Sequence, residues 1–175
     1  MLPKKWWFIL LYFLFWMALF AAHRLLFIIL YYSRFASDSF LSIASNFFHA
    51  LYLDTSAACY IMALPVVLLG LAYIFQLDRF LKILNVYTIL MIFVYGFIAL
   101  GEDGIYGEWN TKLNYQALWH FRHINEVLNT ISTSLIISFF VASAVIGGLF
   151  TWWYWKKIRL QELYSELKYP FVRYV

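Results

Sequence analysis

Three carboxylates, Glu102, Asp103 and Glu108, crowd one short stretch, Gly101–Asn114, together with Tyr106, Trp109 and Asn114. Carboxylate oxygens suit hard cations, so Ca²⁺ or Mg²⁺ binding is the chemistry this stretch could do. Its spacing matches no defined cation loop, and we read the cluster as a solvated acidic rim. A second group, His120, His123 and Glu126, stands at i, i+3, i+6, with His49 on the same side. Imidazoles can ligate a transition metal or haem, but such sites draw His from facing helices inside a bundle. These His residues belong to surface-lying helices, so no metal site is assigned. Arg24 and Asp54 form a third set. One reading is a buried ion pair or a clamp with Arg24 on a lipid phosphate. The other is a snorkelling Arg and an Asp that caps a helix, each satisfied separately. No Gly-rich phosphate loop, nucleophile elbow or zincin helix is present.

The elements that must position these groups are membrane helices. Of 175 residues, 65% are hydrophobic, 23% aromatic and 13% charged, with a mean hydropathy of +0.74. Soluble domains carry about 25% charged residues, so the chain falls in the membrane class. The formal charge of +4 comes from basic residues set beside apolar runs. That is an orientation signal and gives no sign of nucleic-acid binding. The lone Cys59 excludes an intrachain disulfide. The N-terminal apolar run continues past a signal-peptide core and reads as a retained anchor.

The periodicity predicts an all-α membrane protein: a polytopic bundle of four transmembrane helices, with two interfacial amphipathic helices on the outer face. The spans fall at about 6–32, 55–76, 80–100 and 131–155, against the roughly 20 residues needed to cross. Phe40, Ile43, Ala44, Phe47, Phe48 and Leu51 follow a helical stripe, so 39–51 is predicted to lie in the interface. Asp54 is then the cap of the second span, which Pro65 interrupts. A second surface helix is expected over 110–130, and residues 156–175 form a tail. Gly-rich backbone in the Gly101–Asn114 stretch is expected at or beyond the headgroups, where water can satisfy it. Gly147-Gly148 offers a close helix contact in the fourth span.

Basic residues orient the chain. Lys4, Lys5, Arg79, Lys82, Lys156, Lys157 and Arg159 gather on one side, against dispersed Arg34, Lys112 and Arg122 on the other, with Arg24 near its edge. Positive charge marks the cytoplasmic side, so both ends of the chain are expected there and the rim outside.

Arg24-Leu-Leu-Phe27, Ala50-Leu-Tyr-Leu-Asp54, Ser56-Ala-Ala-Cys-Tyr60 with Pro65, Glu102-Asp103, Tyr106, Glu108-Trp109, Leu113-Asn114 and the helix to Glu126 follow one another in a recognisable order. In this the chain resembles the N-terminal membrane region of the lipoteichoic-acid-synthase-like sulfatase family, within the alkaline phosphatase superfamily. The resemblance covers nearly the whole chain. It departs from the family at Tyr52, where Arg would be expected. Members carry a catalytic domain outside the membrane. A metal-activated Thr there transfers a phosphoglycerol- or phosphoethanolamine-type group from a phospholipid, or sulfate and phosphate esters are hydrolysed. The resemblance therefore implies the membrane portion of a longer enzyme of the bacterial cytoplasmic membrane. The divalent metal would belong to that other domain, with no cofactor in this chain.

Two functions are expected. The first is an anchor that presents a phospholipid headgroup, through Arg24, Asp54, Glu102, Asp103, Tyr106, Glu108, Trp109 and Asn114, to the catalytic domain. The second is a stand-alone membrane subunit that binds a partner through the same rim. A haem or quinone module ranks behind both.

Overall fold

A computed structural model of the chain describes residues 4–36, 39–109 and 133–158. Its elements are α1 (Lys4–Leu30), the single-turn α2 (Tyr32–Phe35), α3 (Phe40–Phe75), α4 (Arg79–Trp109) and α5 (Thr133–Lys157). All are helical because a chain in hydrocarbon must satisfy its own backbone groups. α1, α3, α4 and α5 are each long and apolar enough to cross a membrane.

The boundaries differ from the sequence reading in two places that matter. Residues 40–75 form one uninterrupted helix of 36 residues. Asp54 therefore caps nothing and lies in its interior. The cap is Ser39, in extended backbone, whose side chain accepts from the Ser42 N–H at 3.2 Å. Leu51 to Ser56 contain no Gly or Pro to stop the helix, and the Asp54 carboxylate is engaged elsewhere. The second difference is at Gly101–Trp109, which continues α4 instead of leaving it as irregular backbone. Glycines in a helix cost about 1 kcal/mol each, whereas an unpaired backbone group in an apolar setting costs several. The helix wins that comparison. The expected interfacial helix at 110–130 and nearly all of the 156–175 tail lie outside the described residues.

The chain divides into two compact units. The first comprises Met1–Ile89 and Trp152–Val175, the second Leu90–Thr151. In the first unit α1 buries Phe8, Tyr12, Phe15, Trp16, Leu19 and Phe20, one helical face. Tyr12 meets Tyr154 of α5 edge-on at 6.5 Å, and Phe15 meets Trp153 at 5.2 Å. Thr88 donates to the Leu84 carbonyl at 2.8 Å, so its oxygen is left to accept the Tyr12 hydroxyl at 3.0 Å. Aromatic side chains thus form much of this core. The turn after α3 closes with Gln76 in the left-handed region, φ 53°. Lys82 pairs with Asp78 across the first turn of α4, at 3.0 Å.

In the second unit, α4 and α5 meet through Phe97 and Phe139, ring centroids 4.8 Å apart. Phe93 lies against Gly147, where an added Cβ would come within 2.6 Å of the ring. Gly148, by contrast, has nothing within 4 Å. Only one glycine of the pair makes the close contact.

Candidate functional site

Arg24 and Asp54 meet in the first unit. Arg24 Nη1 donates to Asp54 Oδ2 at 2.9 Å, and Nη2 donates to Oδ1 at 3.1 Å. This two-pronged geometry matches the planar guanidinium to the carboxylate and is the strong form of the pair. Phe47, two helical turns before Asp54 on α3, puts its ring 5.6 Å from the guanidinium carbon. The side chains retain 26% and 13% of their exposure, so the pair is half sheltered.

Helix geometry explains why these two residues find one another. Arg24 lies about 30 Å along α1 from Lys4, and Asp54 about 32 Å along α3 from Phe75. Both therefore sit one hydrocarbon thickness, about 30 Å, from the end of the unit at which α1 begins and α3 finishes. α3 brings Asp54 inward because Ile43, Phe47, Ala50, Asp54 and Ala58 form one stripe on the face turned to α1. The opposite flank carries Ser42, Ser45, Asn46 and His49, all exposed. His49 Nδ1 donates to the Ser45 carbonyl at 2.7 Å, a local bond within α3.

The carboxylate stretch is organised differently from a solvated rim. Asp103 is only 4% exposed. It continues the buried stripe Ile92, Gly96 and Ala99 along α4, while Glu102 and Tyr106 are half-buried. A helical period running unbroken through Gly101 would have signalled that burial. The glycines concealed it by reading as loop. Glu108 and Trp109 belong to the last turn of α4. Asn114, His120, His123 and Glu126 lie outside the described residues. Among the described residues, no three His, Cys, Asp or Glu side chains gather where a metal could be held.

Sequence reasoning also missed a polar contact made by the backbone. The Tyr87 hydroxyl donates to the Ile61 carbonyl on α3 at 3.0 Å. The available signal was Pro65, since a proline in a span frees the carbonyl four residues earlier and calls for a donor opposite.

The fold defines an all-α protein with the character of a multi-pass membrane protein. No family model, curated protein or solved structure matches the chain.

Proposed function

We propose that this chain anchors an enzyme in the membrane and presents a phospholipid to it, the enzyme being a phosphotransferase or sulfatase of the lipoteichoic-acid-synthase-like kind. One observation carries the reading: a preorganised Arg24–Asp54 pair one hydrocarbon thickness from the end where α1 begins. The positive-inside count makes that far face the outer one, in a bacterial cytoplasmic membrane with both ends of the chain on the cytoplasmic side. The order of motifs quoted above supplies the family. From the sequence, Glu102, Tyr106, Glu108 and Trp109, near the end of α4, are proposed as further residues that meet a lipid headgroup. The chemistry itself, including any divalent metal, belongs to the catalytic domain. A presenting domain works by positioning, so its loss affects a lipid substrate more than a soluble one.

The test uses the enzyme that carries this chain, with Trp109→Ala assayed on its lipid substrate and on a soluble ester. Lipid turnover is expected to fall about tenfold with the soluble activity retained. Equal loss on both substrates, or none on either, overturns the reading.

A second reading, a membrane subunit that binds a partner, draws on α3. At about 54 Å this helix outreaches a hydrocarbon core of about 30 Å, and its leading end exposes Phe40 and Leu41. Stable co-purification of another subunit, lost in Phe40→Ser, would favour it.

A further inference from the structure

We propose that the free edge of Arg24 seats a phospholipid by its acyl-ester carbonyls, not by its phosphate. The proposal rests on the lipid-presenting reading above and specifies which part of the lipid the chain grips.

A guanidinium has five N–H donors in a fixed plane. Asp54 takes one from each Nη. The Nε–H and the remaining Nη hydrogens have no hydrogen-bond acceptor among the described residues. The guanidinium carbon stands over the Phe47 ring at 5.6 Å from its centroid, and Arg24 keeps 26% of its side-chain exposure. What remains open is an edge carrying parallel donors, held in place from two directions. Such an edge fits two oxygen acceptors a few ångströms apart.

Charge and depth select the acceptor. Asp54 already balances Arg24, and the structure gives the pair no other charged partner among the described residues. A phosphate on the free edge would leave the half-sheltered site with a net negative charge, set against the Asp54 carboxylate. Neutral carbonyl oxygens take the same N–H groups at no such cost. Depth points the same way. Arg24 and Asp54 stand about 30 and 32 Å along their helices from the opposite end, which is the thickness of the hydrocarbon alone. The ester carbonyls mark that boundary, and phosphates lie several ångströms farther out. A site that grips the glycerol esters leaves the headgroup unbound and projecting outward, where a catalytic domain could reach it.

Dialkyl phospholipids lack the ester carbonyls and keep the phosphate, so they separate the two acceptors. The full chain is reconstituted with diacyl phosphatidylcholine, dialkyl phosphatidylcholine of matched chains, or diacyl phosphatidylglycerol, and retained lipid is read by native mass spectrometry. Diacyl phosphatidylcholine is expected to be retained about tenfold over the dialkyl form, the worth of one or two hydrogen bonds to a charged donor. Arg24→Lys keeps the charge and the ion pair but removes the planar edge, and the ratio should fall to about one. Asp54→Asn removes the balancing charge, and preference should move to phosphatidylglycerol. Equal retention of the diacyl and dialkyl lipids by the unaltered chain would overturn the proposal. So would a preference for phosphatidylglycerol in the unaltered chain, which would show that net headgroup charge and not the esters decides retention. Neither result touches the comparison of lipid and soluble-ester turnover, so each proposal fails on its own measurement.

Discussion

The Tyr87 hydroxyl on α4 reaches the main-chain carbonyl of Ile61 on α3 at 3.0 Å, and Ile61 is the residue four before Pro65. Proline has no N–H, so this carbonyl cannot be satisfied within its own helix. In an apolar setting the deficit must be met from outside, and α4 meets it. Tyr87→Phe is expected to destabilise the chain by about 1 kcal/mol, in the range of interhelical hydrogen bonds in membranes. In a Pro65→Ala background the restored N–H reclaims Ile61, and the Tyr87→Phe cost should nearly vanish. Unfolding of the four proteins in detergent titrations measures this. Simple additivity would show that the carbonyl does not link the two residues.

The Arg24–Asp54 pair should show the asymmetry of a sheltered ion pair. Removing one partner leaves a lone charge near hydrocarbon, whereas removing both leaves none. Asp54→Leu alone is expected to cost about 2–3 kcal/mol, and Arg24→Met with Asp54→Leu less than either single change. A double variant as unstable as the sum of the singles would refute coupling between them.

Gly147 and Gly148 give a paired test of helix contact in the second unit. A Cβ at Gly147 would meet Phe93 at 2.6 Å, while one at Gly148 meets nothing within 4 Å. Gly147→Ala should cost about 1–3 kcal/mol, the range for overpacking. Phe93→Leu should recover much of that loss, and Gly148→Ala should be neutral or stabilising. Thermal unfolding of the variants decides it, and equal effects at the two glycines would contradict the contact.

Orientation is open to labelling in intact cells. In a Cys59→Ala background, Thr111→Cys is expected to react with an impermeant maleimide, because the denser basic flanks lie at the other face. Labelling only after permeabilisation would reverse the assignment.

Much of the architecture was legible in the residues. Membrane helices show in local sums of hydropathy, so the spans could be placed without knowing their neighbours. The pairing of Arg24 with Asp54 was legible only as one of two readings. An Asp before Thr-Ser is equally suited to cap a helix or to bind an arginine, and local chemistry ranks the two alike. Gly101, Gly104 and Gly107 misled in the same manner, because glycine marks loops in water but costs a membrane helix little compared with unpaired backbone.

By itself the sequence determined that the chain is helical and which of its runs are apolar and long enough to cross a membrane. Those properties follow from side-chain transfer and from a fixed rise per residue, and neither depends on contacts distant in the chain. Only the tertiary structure decided that Asp54 pairs with Arg24 while Ser39 caps α3, that Asp103 turns inward, and that Tyr87 answers the carbonyl freed by Pro65. Each of these is a choice of partner. A polar group in an apolar medium must have a partner, but which one it takes depends on the residue that another helix brings within about 3 Å.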